Sequence, residues 1–378
     1  MVVENRCLLV ITGAFELTGG IAASTRLAIY TLLDAGYELD IFALNEGNEA
    51  YKKYEKLPKV HFYAANKNKL RFTSAIWLSL LRNRYNFAFS DHINIASILA
   101  PAAFLRIIRY TVRLHLIEAV PPNPDFQGRL GMRFAWRLHA SEYTKQEILK
   151  SFPDLKIDVV PLSLEPDQSL DAIPDFTPDD LVLQAMDGET RKLQSRIILL
   201  VGRMASGEQY KGQDILIQAM PLILAEYPQA QLVLVGSGDD MPRIRGYAQA
   251  QPANVQRQIF LPGFVNNEQL NKLYRACYLF AMPSRGEGFG VVYLEAMRWG
   301  KPCIASRMDA AQYIVRDRET GLLVDDPNNF KDVAASILQL LNDPQSSTKY
   351  GSNGFALVKT TFSFENFSQL FLASLNNI

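Results

Sequence analysis

Two glutamates, Glu287 and Glu295, lie eight residues apart and are separated by a glycine-rich turn and the start of an apolar run. Within a helix, eight residues span about 12 Å and return to broadly the same side. The paired carboxylates of glycoside hydrolases lie closer together, about 5 to 9.5 Å apart. The spacing therefore favours an elongated ligand held at both ends, such as a nucleotide-sugar, over a hydrolytic pair.

The turn between the two glutamates has the composition of an anion site. Gly288 and Gly290, with Phe289 between them, precede a helix predicted at 291–299, which a glycine and a proline then end. The first N–H groups of a helix lack internal partners and carry partial positive charge, and glycine lets a ligand approach them. The pattern predicts anion binding by backbone groups. A surface helix with two solvated glutamates explains the same residues.

Further polar and small residues follow predicted strands in the same half of the chain. A strand at 197–201 leads into Gly202 and Arg203, a polar loop then carries Lys211, and a strand at 231–235 leads into Ser237. An arginine fork and a lysine point charge both suit phosphate oxygens. These residues predict a diphosphate site, with ordinary surface cations as the alternative.

The N-terminal half opens with a βαβ pattern. An apolar strand at 7–12 precedes a loop that contains Gly19 and Gly20, followed by a helix at 21–35 and a strand at 38–44. This order is typical of a Rossmann-like domain. The glycines do not have the dinucleotide-binding spacing, which disfavours a hydride-transfer enzyme. A plain turn is the alternative for Gly19 and Gly20.

A histidine stands at the end of a predicted strand in this half. The run 110–115 reads YTVRLH and delivers His115 at its C-terminal end, where open α/β sheets bind ligands. His115 is therefore a candidate site residue, and His92 is a weaker one. A purely structural role explains a single histidine equally well.

The segment 51–85 is strongly basic, with nine lysines and arginines against one glutamate. Its part from 70 to 81 is predicted to be an amphipathic helix. Phe72, Ile76, Trp77 and Leu80 fall near one face of it. Basic amphipathic helices with tryptophan bind anionic membranes. A solvated basic face over an ordinary core is the alternative.

Composition limits the remaining possibilities. The 378 residues suggest two or more domains, and 39 basic residues balance 39 acidic ones, which gives no electrostatic case for nucleic acid. The cysteines, Cys7, Cys277 and Cys303, show no zinc or redox spacing and fit a reducing compartment. The first residues are interpreted as a strand, not a signal peptide, and no apolar run reaches the length of a membrane span. We expect a cytoplasmic protein.

Proline and aspartate cluster between the two halves. We therefore expect an N-terminal domain at 1–165, a linker at 166–195 with a short helix near 180–186, and a C-terminal domain at 196–363.

The pattern PS-x-x-EGFG-x-x-x-LEAM-x-x-G-x-P-x-IAS at 283–306 resembles the donor-binding motif of retaining glycosyltransferases of family 4, the glycosyl transferases group 1. The series VGR, KG and VG-x-G earlier in this half resembles the same family, and the resemblance is strongest over 197–326. It implies the GT-B architecture: two Rossmann-like domains, a cleft between them, and a C-terminal helix at about 364–378 that returns to the first domain.

The resemblance also implies roles for particular residues. It assigns catalysis to Glu287, His115, Arg203 and Lys211. It implies donor binding by Gly19, Gly20, Gly202, Arg203, Lys211, Ser237, Val265, Glu287, Gly288, Phe289, Gly290 and Glu295. Within this set, Glu287 is expected to hold sugar hydroxyls and Glu295 the ribose. The chain departs from the family pattern at Leu116, at 308–311 and at Tyr313.

The implied reaction is hexosyl transfer with retention from a nucleotide-sugar, UDP- or GDP-linked, to a hydroxyl of a sugar or lipid-linked sugar. The implied setting is cell-surface polysaccharide, lipopolysaccharide or glycolipid synthesis. No metal and no cofactor beyond the co-substrate are expected, and the basic segment 51–85 suggests a peripheral position on the membrane. A non-catalytic nucleotide-sugar-binding protein is the alternative.

Overall fold

The computed structural model describes residues 5–16, 19–119, 124–168, 170 and 181–376. The chain divides into two compact units. One comprises Met1–Asp167 with Ser363–Ile378, and the other comprises Gln168–Phe362.

The first unit is built on a parallel sheet of seven strands among the described residues, in the order β3-β2-β1-β4-β5-β6-β7. The strands are β1 (Arg6–Ile11), β2 (Glu38–Ala43), β3 (Val60–Ala64), β4 (Phe87–Ser90), β5 (Tyr110–Arg113), β6 (Arg137–Ala140) and β7 (Ile157–Val159). The connecting helices are α1 (Gly20–Asp34), α2 (Asn48–Tyr54), α3 (Lys69–Arg82), α4 (Ile93–Ala96), α5 (Ala100–Phe104), α6 (Leu116–Ala119), α7 (Phe126–Arg133) and α8 (Glu142–Ser151). β1, β2 and β4 are almost wholly buried, as expected of strands covered on both faces.

The second unit repeats this plan. It begins with a hairpin of β8 (Val182–Gln184) and β9 (Thr190–Lys192). Its parallel sheet has the order β12-β11-β10-β13-β14-β15 within the described residues. The strands are β10 (Ile197–Val201), β11 (Gln231–Val235), β12 (Ile259–Gly263), β13 (Leu279–Ala281), β14 (Cys303–Ser306) and β15 (Gly321–Val324). The helices are α9 (Gln213–Glu226), α10 (Met241–Gln249), α11 (Ala253–Gln256), α12 (Asn267–Ala276), α13 (Val291–Met297), α14 (Phe330–Asn342) and α15 (Pro344–Thr360).

The last helix, α16 (Phe364–Asn376), belongs to the first unit, as predicted. The Phe371 ring meets the Phe89 ring edge-on at 5.8 Å. The hydroxyls of Ser368 and Thr31 share a hydrogen bond of 2.8 Å, and Ser374 Oγ lies 2.9 Å from His139 Nε2. α16 therefore covers part of the N-terminal sheet, although most of the chain separates the two in sequence.

The prediction of a short helix near 180–186 is wrong. Val182–Gln184 forms a strand that pairs antiparallel with Thr190–Lys192. The turn between them contains Asp187 and Gly188, and Gly188 has a φ of 92°. An Asp-Gly pair between short strands is a hairpin signal, and this local turn preference sets the structure here. The cluster of prolines and aspartates at 171–180 lies outside the described residues.

The amphipathic helix expected at 70–81 is confirmed as α3, but its apolar face does not meet a membrane. Phe72 and Ile76 are at most 1% exposed, Leu80 is buried with them, and Trp77 packs against the same cluster. This face supplies the core beneath the sheet, because the sheet needs an apolar cover at that position. Leu70 and Leu81 lie on the other side of the helix and are 83% and 77% exposed.

No helix among the described residues has the length and apolar character that a bilayer span requires.

Candidate functional site

The predicted phosphate-binding residues lie in loops that follow the strands of the second sheet, at the edge where parallel sheets bind ligands. Gly202 follows β10 and Gly236 follows β11. A Cβ on Gly236, whose φ is 141°, would lie 1.9 Å from the Gly202 carbonyl oxygen. Met204 N also donates to the Ser237 carbonyl at 3.0 Å. The two loops are thus in main-chain contact, which fixes Arg203 and Ser237 close together.

Lys211 lies at the end of a 3-10 turn, Ser206–Lys211, which follows the first of these loops. Its Nζ is 3.0 Å from Glu208 Oε2 and 3.3 Å from Glu287 Oε1, and all three side chains are at least 85% buried. Charge attraction therefore holds these three side chains together. Burial lowers the pKa of Lys211, but Glu287 and Glu208 outweigh it and the net shift is upward. Lys211 is therefore an ammonium ion held between two carboxylates.

Arg203 contacts the other oxygen of Glu208, and its side chain remains 61% exposed. The structure thus brings Arg203, Lys211 and Glu287 together through Glu208. Sequence reasoning missed Glu208, because nothing in its local pattern distinguishes it from a solvated acid.

The loop that carries Glu287 is held by Asp309, one of the departures from the family pattern. The Asp309 carboxylate accepts hydrogen bonds from Glu287 N and Ala311 N, both at 2.9 Å, and from the Ser284 hydroxyl. Ala310 N in turn donates to the Glu287 carbonyl at 3.1 Å. Asp309 is fully buried, and burial raises its pKa to about 6. A side chain here fixes the main chain around Glu287.

The raised pKa of Asp309 predicts a pH dependence of stability. An unfolded Asp titrates near pH 3.9, so between about pH 4 and 6 the folded protein binds more protons than the unfolded one. The free energy of unfolding contributed by Asp309 is therefore present at low pH and is lost as pH rises through about 6, by at most about 3 kcal/mol. Denaturant unfolding between pH 4 and 7 measures this fall. Asp309→Asn should make this fall smaller, and an identical profile for the variant would contradict the assignment.

The turn before α13 is compact. Gly286 packs on the Tyr210 ring, where a Cβ would lie 3.2 Å from Cγ, and the Phe289 ring meets Phe362 at 6.0 Å. Gly290 has a φ of 95° and immediately precedes α13. The helix is two residues shorter than predicted and has only seven residues, so its dipole is small.

Glu295 lies on α13, and its Oε2 accepts a hydrogen bond of 2.7 Å from the hydroxyl of Tyr274 on α12. Tyr274 is buried and was not foreseen, since the two residues are distant in sequence. Val265 lies in the loop after β12, beyond the same edge of the sheet, beside Phe264, which is 74% exposed. These residues extend the site along the edge.

In the first unit, the glycine loop is only partly available to a ligand. A Cβ on Gly19 or Gly20 would meet no atom of the described residues within 4 Å, which leaves the main chain there open to them. The three amides of residues 14–16, in contrast, all donate to Glu46 Oε1 at 2.5 to 2.9 Å. The second oxygen of Glu46 accepts from the buried Tyr54 hydroxyl at 2.7 Å. An internal carboxylate thus occupies the amides that a phosphate would use, and Gly19 and Gly20 remain.

His115 lies two residues beyond β5, at the edge predicted. Its main-chain N–H donates to Glu118 Oε1 at 3.1 Å, and its ring is hydrogen-bonded to the main chain of Asp91. Nε2 is buried and has no hydrogen-bond partner among residues 5–16, 19–119, 124–168, 170 and 181–376. Burial, helped by the charge of Arg113, lowers the pKa of His115 to about 3. The ring is neutral at physiological pH, and Nε2 is left as a free hydrogen-bond acceptor. His92 instead pairs with Glu118, 2.8 Å from Nδ1 to Oε2.

Residues 195–343 match the family described as glycosyl transferases group 1. A GDP-mannose-dependent monoacylated alpha-(1-6)-phosphatidylinositol monomannoside mannosyltransferase of Corynebacterium glutamicum is 38% identical over 162 residues, which are 41% of this chain and 41% of that relative. A phosphatidyl-myo-inositol mannosyltransferase of Mycobacterium tuberculosis is 32% identical over 178 residues, 46% of this chain and 45% of that relative. The matched segments therefore span less than half the length of these two relatives.

Solved structures match over almost the whole chain. HepE of Anabaena, in complex with UDP, superimposes with a TM-score of 0.73 at 19% identity, covering 99% of this chain and 100% of that one. The sucrose-phosphate synthase of Thermosynechococcus elongatus gives a TM-score of 0.71 at 21% identity, with 98% of each chain covered. This likeness establishes the fold, which is the predicted GT-B type. The match at 195–343 makes this part of the chain similar to the glycosyl transferases group 1 family.

Proposed function

We propose that the protein is a retaining hexosyltransferase that moves a sugar from a nucleotide-sugar to an acceptor hydroxyl. The observation that carries this proposal is the cluster of Lys211, Arg203 and Glu287 at the ligand-binding edge of the second sheet. A buried ammonium ion and an exposed guanidinium, which share Glu208 as a partner, suit the diphosphate leaving group. They supply the positive charge that a divalent cation supplies elsewhere, so the proposed reaction is metal-independent.

The donor's two ends are assigned to the two glutamates. Glu287, fixed by Asp309 and adjacent to Lys211, is proposed to hold hydroxyls of the transferred sugar. Glu295, oriented by Tyr274, is proposed to bind the ribose. Ser237, Val265 and the main chain of 288–290 complete the proposed donor site. In the first unit, we assign substrate binding to the open main chain at Gly19 and Gly20, and to Nε2 of His115, which accepts from a sugar hydroxyl.

The names of the similar proteins point to two different donor bases. The two mannosyltransferases are named for GDP-mannose or phosphatidylinositol chemistry, whereas HepE was solved with UDP. We propose a GDP- or UDP-hexose as co-substrate. A thermal-shift screen of GDP-, UDP- and ADP-sugars tests this, because a ligand that binds only the folded state raises the melting temperature. No shift with any of them at millimolar concentration would refute the donor site.

A non-catalytic nucleotide-sugar-binding protein is the competing proposal, and it rested partly on the departure at Asp309. Since Asp309 holds the main chain of Glu287, that departure supports a working sugar site. The two proposals differ in one measurement. A transferase releases nucleoside diphosphate from its donor when the acceptor is supplied, and slowly by hydrolysis without it, whereas a binding protein releases none.

We further propose a lipid-linked acceptor at the cytoplasmic face of a membrane, in glycolipid or cell-surface polysaccharide synthesis. The described part of the basic segment supports this proposal. Lys67, Lys69 and Arg71 are exposed at the start of α3, next to Leu70. An apolar side chain among cations suits an anionic leaflet. Each basic residue near such a surface contributes about 1 kcal/mol of binding free energy.

Replacing Lys67, Lys69 and Arg71 together by Ala is expected to weaken binding to vesicles of anionic phospholipid by about two orders of magnitude at low salt. Co-sedimentation measures it, and high salt should abolish binding of the unmodified protein. Lys331, Lys349 and Lys359 are also exposed and provide a charge-matched control triple in the second unit. If both triples behave alike, or if binding ignores salt, this surface is ordinary solvated protein.

A further inference from the structure

Arg113, the last residue of β5, carries a buried positive charge that no described residue pairs with a negative one. The residue is 4% exposed. Its Nη1 donates to the Val160 carbonyl, and its Nε is buried with no hydrogen-bond partner in the part of the chain that the structure describes. No carboxylate of the described residues forms an ion pair with it, and burial alone lowers its pKa, to about 9. One backbone carbonyl is a weak counterpart for a guanidinium ion.

Two other arginines of the same unit have their charge balanced by a carboxylate. Arg26 lies 2.7 Å from Glu165 and also donates to the Ala14 carbonyl, and Arg6 lies 2.9 Å from Asp40. A buried charge without such a partner costs several kcal/mol. A fold that keeps one despite this cost has a use for it, because residues that work against stability concentrate at functional sites.

The two histidines near Arg113 do not act as its counterions. Its charge acts on the rings of His115 and His139 and lowers their pKa values, each to about 3, with burial as the larger cause. Both rings are therefore neutral and contribute no negative charge. The guanidinium is thus an unsatisfied cation at the C-terminal edge of the sheet, where α/β folds bind ligands.

We propose that Arg113 binds an oxyanion of the acceptor, either a phosphate or a carboxylate, next to the His115 ring. The acceptor is then an anionic molecule, such as a sugar phosphate or a uronic acid, and not a neutral sugar. The guanidinium suits either anion, because its fork matches both phosphate and carboxylate oxygens. The assignment of the anion to the acceptor rests on the proposed transferase function, whereas the anion site itself does not.

Thermal unfolding of the intact protein tests the site. Saturating nucleoside diphosphate is present throughout, so that the cluster around Lys211 is occupied. Glucose 1-phosphate and glucuronate are the anionic probes, and glucose is the neutral control. The wild type is expected to be stabilised by one anion or both and not by glucose. The more effective anion identifies phosphate or carboxylate as the recognised group.

Arg113→Met separates a ligand-binding role from a structural one. Removing an uncompensated buried charge should raise the apparent melting temperature without probes, by about 2 to 4 °C, and abolish the response to both anions. Arg26→Met is the matched control. It breaks a compensated pair, so it should lower the melting temperature and keep the probe response.

Two results overturn the proposal. One is a wild type that no anionic probe stabilises. The other is an Arg113→Met variant that melts lower than the wild type but keeps the probe response, which makes Arg113 a structural tie to Val160. Should Arg113→Met not fold, Arg113→Lys keeps the charge without the fork, and its probe affinity is expected to fall about tenfold. Since these are binding measurements, they stay interpretable even if no donor supports transfer.

Discussion

The Glu287→Gln variant is expected to bind nucleoside diphosphate almost as well as the wild type and to turn over the nucleotide-sugar roughly 10- to 100-fold more slowly. The loss corresponds to one charge-assisted hydrogen bond to the sugar, about 1.5–3 kcal/mol. The fold is expected to survive, because Asp309 holds residue 287 by its main-chain N–H, which the substitution keeps. Calorimetry with the nucleotide and initial rates with the sugar donor measure the two effects separately.

Glu295→Gln is the comparison that makes this prediction specific. It should weaken the nucleotide alone by about tenfold or more, because the ribose loses a charged acceptor. The amide oxygen can still accept from Tyr274, so the side chain keeps its orientation. If the two variants lose nucleotide affinity and turnover in the same proportion, the division of the donor between Glu287 and Glu295 is wrong.

Lys211→Met should weaken the binding of nucleoside diphosphate, and it should destabilise the fold more than a substitution of Arg203 does. Without the ammonium ion, the carboxylates of Glu208 and Glu287 face a buried site with no positive charge between them. Breaking a buried ionic contact in this way costs about 3–5 kcal/mol of folding free energy. The free energy of binding nucleoside diphosphate should also weaken by about 1.5–3 kcal/mol, because one charge-assisted hydrogen bond is lost.

Arg203→Met is the matched control for this prediction, since Arg203 also contacts Glu208 but is mostly exposed. It should lose a similar amount of diphosphate affinity and leave the free energy of unfolding within about 1 kcal/mol of the wild type. Denaturant titration and calorimetry on the same preparations give both quantities. Equal stability of the two variants would show that Lys211 is not the central charge of the cluster.

Elements that depend on a local sequence pattern were predicted, whereas contacts between residues distant in sequence were not. The helix predicted at 70–81 is present as α3, because its 3.6-residue apolar period is a local property. The side of α3 that is buried depends on the sheet, and there the membrane interpretation of Phe72 and Ile76 was wrong. The position of His115 at the end of a strand was also predicted, because the run 110–115 has a local strand pattern.

The partners that orient the site were not foreseen. Glu208, Asp309, Tyr274 and Glu46 each hold a predicted residue or loop, and apart from Glu208 each lies more than 20 residues from the group it holds. No periodicity or spacing links such pairs, because the folded sheet alone brings them together. The hairpin at Asp187 and Gly188 is a different case, since its Asp-Gly turn signal was present in the sequence.

The position of α16 has a consequence for the order in which the protein forms during its synthesis. The N-terminal sheet is translated first, but the helix that supplies Phe371 and Ser374 to it is translated after the whole of Gln168–Phe362. Domains emerging from a ribosome generally fold in order from the N-terminus. In this chain, synthesis of Gln168–Phe362 is finished before the last segment of the first unit, Ser363–Ile378, is made. The first unit must therefore wait, with the Phe89 and His139 side of its sheet uncovered, for the last helix to arrive. That interval exposes the nascent chain to aggregation, and it ends only when α16 docks.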